Sequence, residues 1–315
     1  MSQAKGMRAR LLLDFEDSYG VSPAVKSGRV IKFNSESLSA SQEAEEPATI
    51  TGRRDSVEPI LGNIDVSGSL TLPAELISMG LVMKGLFGAP ETAADGSLYR
   101  HVFKTSAEPP SMVIEKGLTD IGAYFLYNGC KVSGFEMTVG GSGELTASVS
   151  IIGGKRTLNT ESYDDAPVNL PFVRLQNFKA SIHEGGVLIG NVSSFSVNIN
   201  PNLENDKYAI GGDGFRTELP EGLLSVSGSI STFFRDVSLL EKAVNSATTS
   251  LKLSFDAGVK GSFELLFPEV RLEQKDPEVS GPGGIMATFN WKAHYEASAE
   301  GSSVVATLIN EIEEY

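Results

Sequence analysis

Apolar and small polar residues alternate with a period of two along much of the chain, most regularly in Glu144-Leu-Thr-Ala-Ser-Val-Ser-Ile151. Successive side chains of an extended strand point to opposite faces, so this alternation predicts strands with one buried face. In the first half it marks residues 36–41, 111–115, 123–127, 134–139 and 144–152. In the second it marks 194–200, 229–234, 250–255, 261–267, 270–274 and 285–294. Gly140-Gly141, Gly153-Gly154 and Gly281-Pro-Gly-Gly284 punctuate these runs as turns and strand ends. Helical spacing is confined to two stretches. One is 74–87, with Pro73 at its start; the other follows Asp236 and carries Val237, Leu239, Leu240, Ala243 and Val244. Proline suits a first helical position and aspartate an N-cap, so both starts are chemically marked. Residues 302–312 fit either a short helix or a strand.

The pattern also repeats. Gly62-Asn-Ile-Asp-Val-Ser-Gly68-Ser69 returns 160 residues later as Gly222-Leu-Leu-Ser-Val-Ser-Gly228-Ser229. Each copy is preceded by an alternating strand and a polar stretch, and followed by a strand, a helix and several more strands. An internal repeat of this kind fixes the architecture: a mainly β chain of two tandem sandwich or barrel domains, each with one helix. The halves meet within 155–171, where Asp164-Asp165-Ala166-Pro167 reads as a linker.

The polar stretches 42–59 and 201–221 are far longer than the roughly two to five residues of an ordinary hairpin loop. Their matched position in both copies argues for a shared task, most simply contact with a neighbouring subunit. The candidate contact residues are Glu43, Glu45, Glu46, Arg53, Arg54, Asp55 and Glu58 in the first loop. In the second they are Asp206, Lys207, Asp213, Arg216 and Glu218.

Composition narrows the function. Among 315 residues, 40 acidic against 26 basic side chains give a formal net charge of −14, which repels phosphate backbones. A nucleic-acid reader is therefore not expected. The one cysteine, Cys130, follows the hairpin signal Asn128-Gly129 and reads as a turn or edge residue rather than a nucleophile. His101, His183 and His294 are widely spaced and none is paired with a nucleophile. Val139-Gly-Gly-Ser-Gly143 lacks the ending of a phosphate loop and reads as a hairpin turn; Gly211-Gly-Asp-Gly214 has one carboxylate where calcium needs several. Adjacent acids such as Glu45-Glu46 read as solvated, and Arg53-Arg54 beside Asp55 and Glu58 reads as local ion pairing or an intersubunit bridge. No enzyme, cofactor or metal is expected. The polar residues 1–10 run into only three leucines, too short for a signal-peptide core, and the apolar stretch 76–87 is interrupted at Gly80, Lys84 and Gly85. Neither secretion nor a membrane span is expected.

The opening Glu16-Asp-Ser-Tyr-Gly-Val-Ser-Pro23 carries a family likeness, as do the strand 37–41 and the loop ending at Gly62. So do Val66-Ser-Gly-Ser-Leu70 with its following helix, and the run from Asn128-Gly129 to Ser148-Val-Ser-Ile-Ile-Gly153. In this order they resemble the major tail tube proteins of long-tailed bacteriophages. The resemblance implies two tail-tube β domains, 1–165 and 166–315. It implies rings stacked into a tube, with inner strands closed into a continuous barrel and the long loops and N-terminal arm touching the next ring. A two-domain chain would form such a ring as a homotrimer with pseudo-sixfold symmetry. The implied partners are further copies of the chain, tape-measure, terminator and distal tail or baseplate proteins. Phage DNA would pass through the lumen unbound, past an acidic wall. The implied location is the virion tail, with assembly in the host cytoplasm. The alternative from another class is a carbohydrate- or receptor-binding β-sandwich of a tail or baseplate, which predicts an exposed aromatic cluster that one tryptophan, Trp291, does little to supply. A hydrolase on a β scaffold would need a His or Cys beside converging carboxylates.

Overall fold

The computed structural model describes residues 3–106, 108–279 and 281–315; Met1 and Ser2 of the polar N-terminal stretch lie outside them. The chain is mainly β, with 48% strand and 8% helical residues. A 3-10 turn, Gly6–Arg8, leads into β1 (Ala9–Phe15), β2 (Arg29–Ile31), β3 (Ser35–Glu36), β4 (Ser39–Glu45) and β5 (Ile60–Pro73). Then come α1 (Ser78–Phe87), β6 (Glu91–Asp95), β7 (Leu98–Lys104), β8 (Met112–Leu118), β9 (Ala123–Gly140), β10 (Thr146–Gly153) and β11 (Lys155–Asn159). The two-residue β12 (Val168–Asn169) runs parallel to β2. A second 3-10 turn, Asn177–Lys179, opens β13 (Ala180–Glu184), followed by β14 (Val187–Leu188), β15 (Val192–Asn200), β16 (Ser225–Phe233) and α2 (Ser238–Val244). The chain finishes with β17 (Thr249–Asp256), β18 (Ser262–Leu272), β19 (Met286–Ala293) and β20 (Val305–Asn310).

Hydrogen-bonded neighbours in the first half run β1-β8-β9-β10-β5-β4. In the second they run β13-β17-β18-β19-β16-β15. β11 flanks β9 and β20 flanks β18. Two antiparallel ladders join the halves: β15 on the C-terminal part of β9, and β20 on β7. One continuous hydrophobic core results, from Leu11 through Phe135 and Phe195 to Leu308. Trp291 lies at its centre, fully buried, stacked on Phe195 at 5.6 Å between ring centroids.

Several elements depart from the sequence reading, each for a physical reason. Pro73 ends β5 instead of opening a helix. The helix starts five residues later because the Glu75 carboxylate accepts the N–H of Ile77 at 2.8 Å and that of Ser78, satisfying donors at the helix start. β4 runs on to Glu45, so the first long loop begins at Glu46; with both faces exposed, this strand has no apolar alternation to betray it. The expected strands 123–127 and 134–139 are one strand, β9, and Asn128-Gly129 is a kink inside it rather than a turn. Asn128 Nδ2 and the Gly129 N–H both donate to Glu16 Oε1, at 3.0 and 2.9 Å, and Gly129 takes a φ of 63°. Cys130 is consequently a wholly buried strand residue, not a turn or edge residue. The expected strands 261–267 and 270–274 are likewise one strand, β18, which passes through Pro268.

Asp164 is no free tether: it is buried and accepts the Gly28 N–H at 2.9 Å. Asp236 does accept the Ser238 N–H, at 3.0 Å, at the start of α2. The two helices differ in burial. Nearly all of α1 is enclosed, whereas only Ala243 of α2 is buried, and no counterpart of the β6–β7 hairpin follows α2.

Candidate assembly surfaces

The first long segment is an arm. β4 and β5 form a two-stranded ladder from Ser39↔Ser67 out to Glu45↔Ile60, and residues 46–59 form its tip. Glu43 and Glu45 lie exposed on β4, and Glu46, Arg53, Arg54, Asp55 and Glu58 lie exposed at the tip. Arg53 pairs with Asp55 at 3.1 Å, but with both side chains 76% exposed the pair is solvent-screened and fixes little. Ile50 (97% exposed), Ile60 (62%) and Leu61 (64%) share this arm. The sequence reading chose its charges and passed over these apolar side chains, although Ile50 stands out in a polar run.

The second long segment, 201–224, folds back onto the first half. Its Gly214 carbonyl accepts the Ile64 N–H of β5 at 2.8 Å, and its Leu219 carbonyl accepts from Lys131 Nζ of β9 at 3.0 Å. Lys131 also pairs with Glu221. Arg216 points inward: Nε donates to the Asn205 carbonyl at 2.6 Å and Nη1 to the Gly153 carbonyl at 3.3 Å, and Nη2 donates to the Asp65 carboxylate. Burial opposes ionisation of Asp65, but hydrogen bonds from Ser67 and Arg216 outweigh it and hold its carboxyl below the ordinary carboxylate value. Of the second set of candidates, Arg216 is therefore engaged within the chain, and Lys207 is tied to Glu204 at 2.6 Å. Asp206, Asp213 and Glu218 are exposed. The structure thus brings Arg216 to the root of the first arm and leaves the tip charges of both loops apart from it.

The remaining candidates for chemistry are structural. Burial raises the Cys130 thiol pKa well above its ordinary value, so no thiolate nucleophile forms there. His101 is buried with Nδ1 2.8 Å from Thr92 Oγ1 and Nε2 2.8 Å from the Ile312 carbonyl. Among the described residues no group of three or more His, Cys, Asp or Glu is placed to hold a metal, and no helix is long and apolar enough to cross a membrane.

By fold, then, the chain is a mainly β scaffold of antiparallel ladders, with its longest exposed segments at strand ends. The family model for the phage tail tube protein matches residues 6–293, and the chain belongs to that family. The family is structural and non-enzymatic; this chain is a component of the virion tail that assembles with itself into a tube and with other tail proteins. No curated protein matches it.

Proposed function

We propose that three copies of this chain close one ring, each contributing two tube domains (1–165 and 166–315), and that the rings stack into a conduit for phage DNA. The observation that carries this reading is the repeated neighbour order, β1-β8-β9-β10-β5-β4 against β13-β17-β18-β19-β16-β15. A chain holding two copies of one domain presents equivalent edges twice, so a ring of six such domains, the number that the tail-tube resemblance implies, would close with three chains. Closure also disposes of strand edges that would otherwise template indiscriminate pairing. The tip of the first arm, with Glu46, Arg53, Arg54, Asp55 and Glu58 beside Ile50, and the exposed Asp206, Asp213 and Glu218 of the second loop are the surfaces for the next ring. The net charge of −14 suits a wall that DNA slides past without binding. Tape-measure, terminator and distal tail or baseplate proteins are the partners at the tube's interior and ends.

Negative-stain microscopy of the concentrated protein tests the reading. Hollow rings or tubes with three- or sixfold end-on symmetry are expected. Compact particles that never assemble at any concentration would overturn it.

A further inference from the structure

The two halves of one chain meet at a strand seam, β15 against the C-terminal part of β9. Ser196 stands to Ser229 as Ser37 stands to Ser69: in each pair the first hydroxyl accepts the second residue's N–H, at 3.0 and 2.9 Å. Asn198 on β15 therefore corresponds to Ser39 on β4. On the other side of the seam, Ser69 pairs with Ser150 and Ser150 with Gly134, just as Ser229 pairs with Asn290. The Glu273 N–H donates to the Asn290 carbonyl at 2.8 Å, which sets Glu273 in the place of Gly134 and Lys275 in the place of Glu136. Within one chain, Asn198 and Glu136 lie opposite each other across the β15–β9 ladder, joined by a 2.6 Å side-chain hydrogen bond.

The corresponding edges are open. Among the described residues β4 pairs only with β5, and residues 271–275 have β19 on one side and no strand on the other. We infer that residues 39–42 of β4 pair antiparallel with residues 272–275 of a neighbouring copy, with Ser39 opposite Lys275, repeating between chains the β15–β9 seam found within one. The assignment rests on the ring reading above.

Two further features fit it. The register brings Glu43 beside Arg271, an exposed acid and an exposed base, neither with an ion-pair partner among the described residues. The Ile64 N–H of the first half is covered by Gly214; in the second half its counterpart Leu224 packs on the core, and beside it the Leu223 side chain stands 90% exposed. That exposed leucine is where a neighbour's loop would lie.

The test mixes two proteins before assembly, one carrying Ser39→Cys and the other Lys275→Cys; the native Cys130 is buried and does not compete. After mild oxidation, assembled rings are expected to yield a heterodimer on a non-reducing gel. The out-of-register pair Ser39→Cys with Glu278→Cys is expected to yield about tenfold less. Hydrogen exchange on the unmodified protein gives a second readout: residues 39–42 and 272–275 are expected to slow by about tenfold or more on assembly. Rings or tubes that form without the in-register crosslink and without this protection would overturn the seam and leave the ring reading standing. Failure of the unmodified protein to form rings under any condition would overturn both.

Discussion

Ser37 Oγ accepts the backbone N–H of Ser69 at 2.9 Å, with the two hydroxyls 3.2 Å apart. Ser196 and Ser229 repeat the arrangement, with hydroxyls 2.8 Å apart. The glycine just before the second serine of each pair explains why both copies of the motif keep Gly in mid-strand. A Cβ on Gly68 would stand 2.5 Å from Leu38 Cα, and one on Gly228 would stand 1.9 Å from the Ser196 carbonyl oxygen. Neither neighbour is a flexible side-chain end, so the ladder itself must shift. Gly68→Ala and Gly228→Ala are each expected to cost about 1–3 kcal/mol in denaturant unfolding. Gly6→Ala, with nothing within 4 Å of the added carbon, is the control and is expected to be neutral.

Arg216 ties the long second loop to β5 through the Asp65 carboxylate and the Val66 carbonyl and to β10 through the Gly153 carbonyl, and braces the loop on itself through the Asn205 carbonyl. Its side chain is 5% exposed and that of Asp65 is 45% exposed, so removing the arginine strands carbonyls more than it strands a buried charge. Arg216→Met is expected to destabilise by about 2 kcal/mol and to open residues 201–224 to a protease. Asp65→Asn keeps the carbonyl contacts and is expected to cost less than half as much. Equal losses in the two variants, measured by urea unfolding, would show that the carboxylate alone holds the loop.

His101 gives a pH dependence whose sign follows from its site. Burial lowers its pKa below the ordinary 6.5, against the raising effect of its hydrogen bonds with Ile312 and Asn310. With Nε2 protonated, the neutral ring donates to Ile312 and accepts from Thr92, and Tyr315 packs edge-on at 4.8 Å. Well above pH 6.5 the ring is neutral in both the folded and the unfolded chain, and its full contribution is present. As the pH falls below that, the unfolded chain takes up a proton that the folded chain resists, so stability drops until the folded pKa is passed. Thermal midpoints measured from pH 7.5 to 5 are expected to fall more steeply for the native protein than for His101→Gln.

These residues also show how far the sequence could be read. The alternation in 144–152 and the recurrence of Val-Ser-Gly-Ser located β10, β5 and β16 because their causes are local: one buried face and one crowded crossing. Asn128-Gly129 misled because its fate is decided by Glu16, 112 positions from Asn128, which draws both donors into a kink within one continuous strand. Arg216 looked like a contact residue for the same reason: its acceptor Asp65 lies 151 positions back. The extension of β4 to Glu45 was invisible since a strand with two wet faces carries no hydrophobic period. Local chemistry was legible in the chain; decisions made by distant partners were not.

The arm tip offers the sharpest test of stacking. Glu45 and Ile60 are directly opposed across the β4–β5 ladder, so an Asn-Gly pair in place of residues 46–59 closes the strands with a two-residue hairpin turn and no change of register. The ladder, and with it the edge at residues 39–42, is retained, while Ile50 and the charges Glu46, Arg53, Arg54, Asp55 and Glu58 are removed together. No buried core residue lies in the replaced segment, so the thermal midpoint is expected to stay within a few degrees of the native one. Ring closure is expected to survive and tube growth to stop, giving single rings by microscopy where the native protein gives tubes. Tubes of native length from this variant would assign stacking elsewhere, to the exposed Asp206, Asp213 and Glu218 of the second loop. Loss of rings as well as tubes would mean that the tip closes the ring rather than joining one ring to the next.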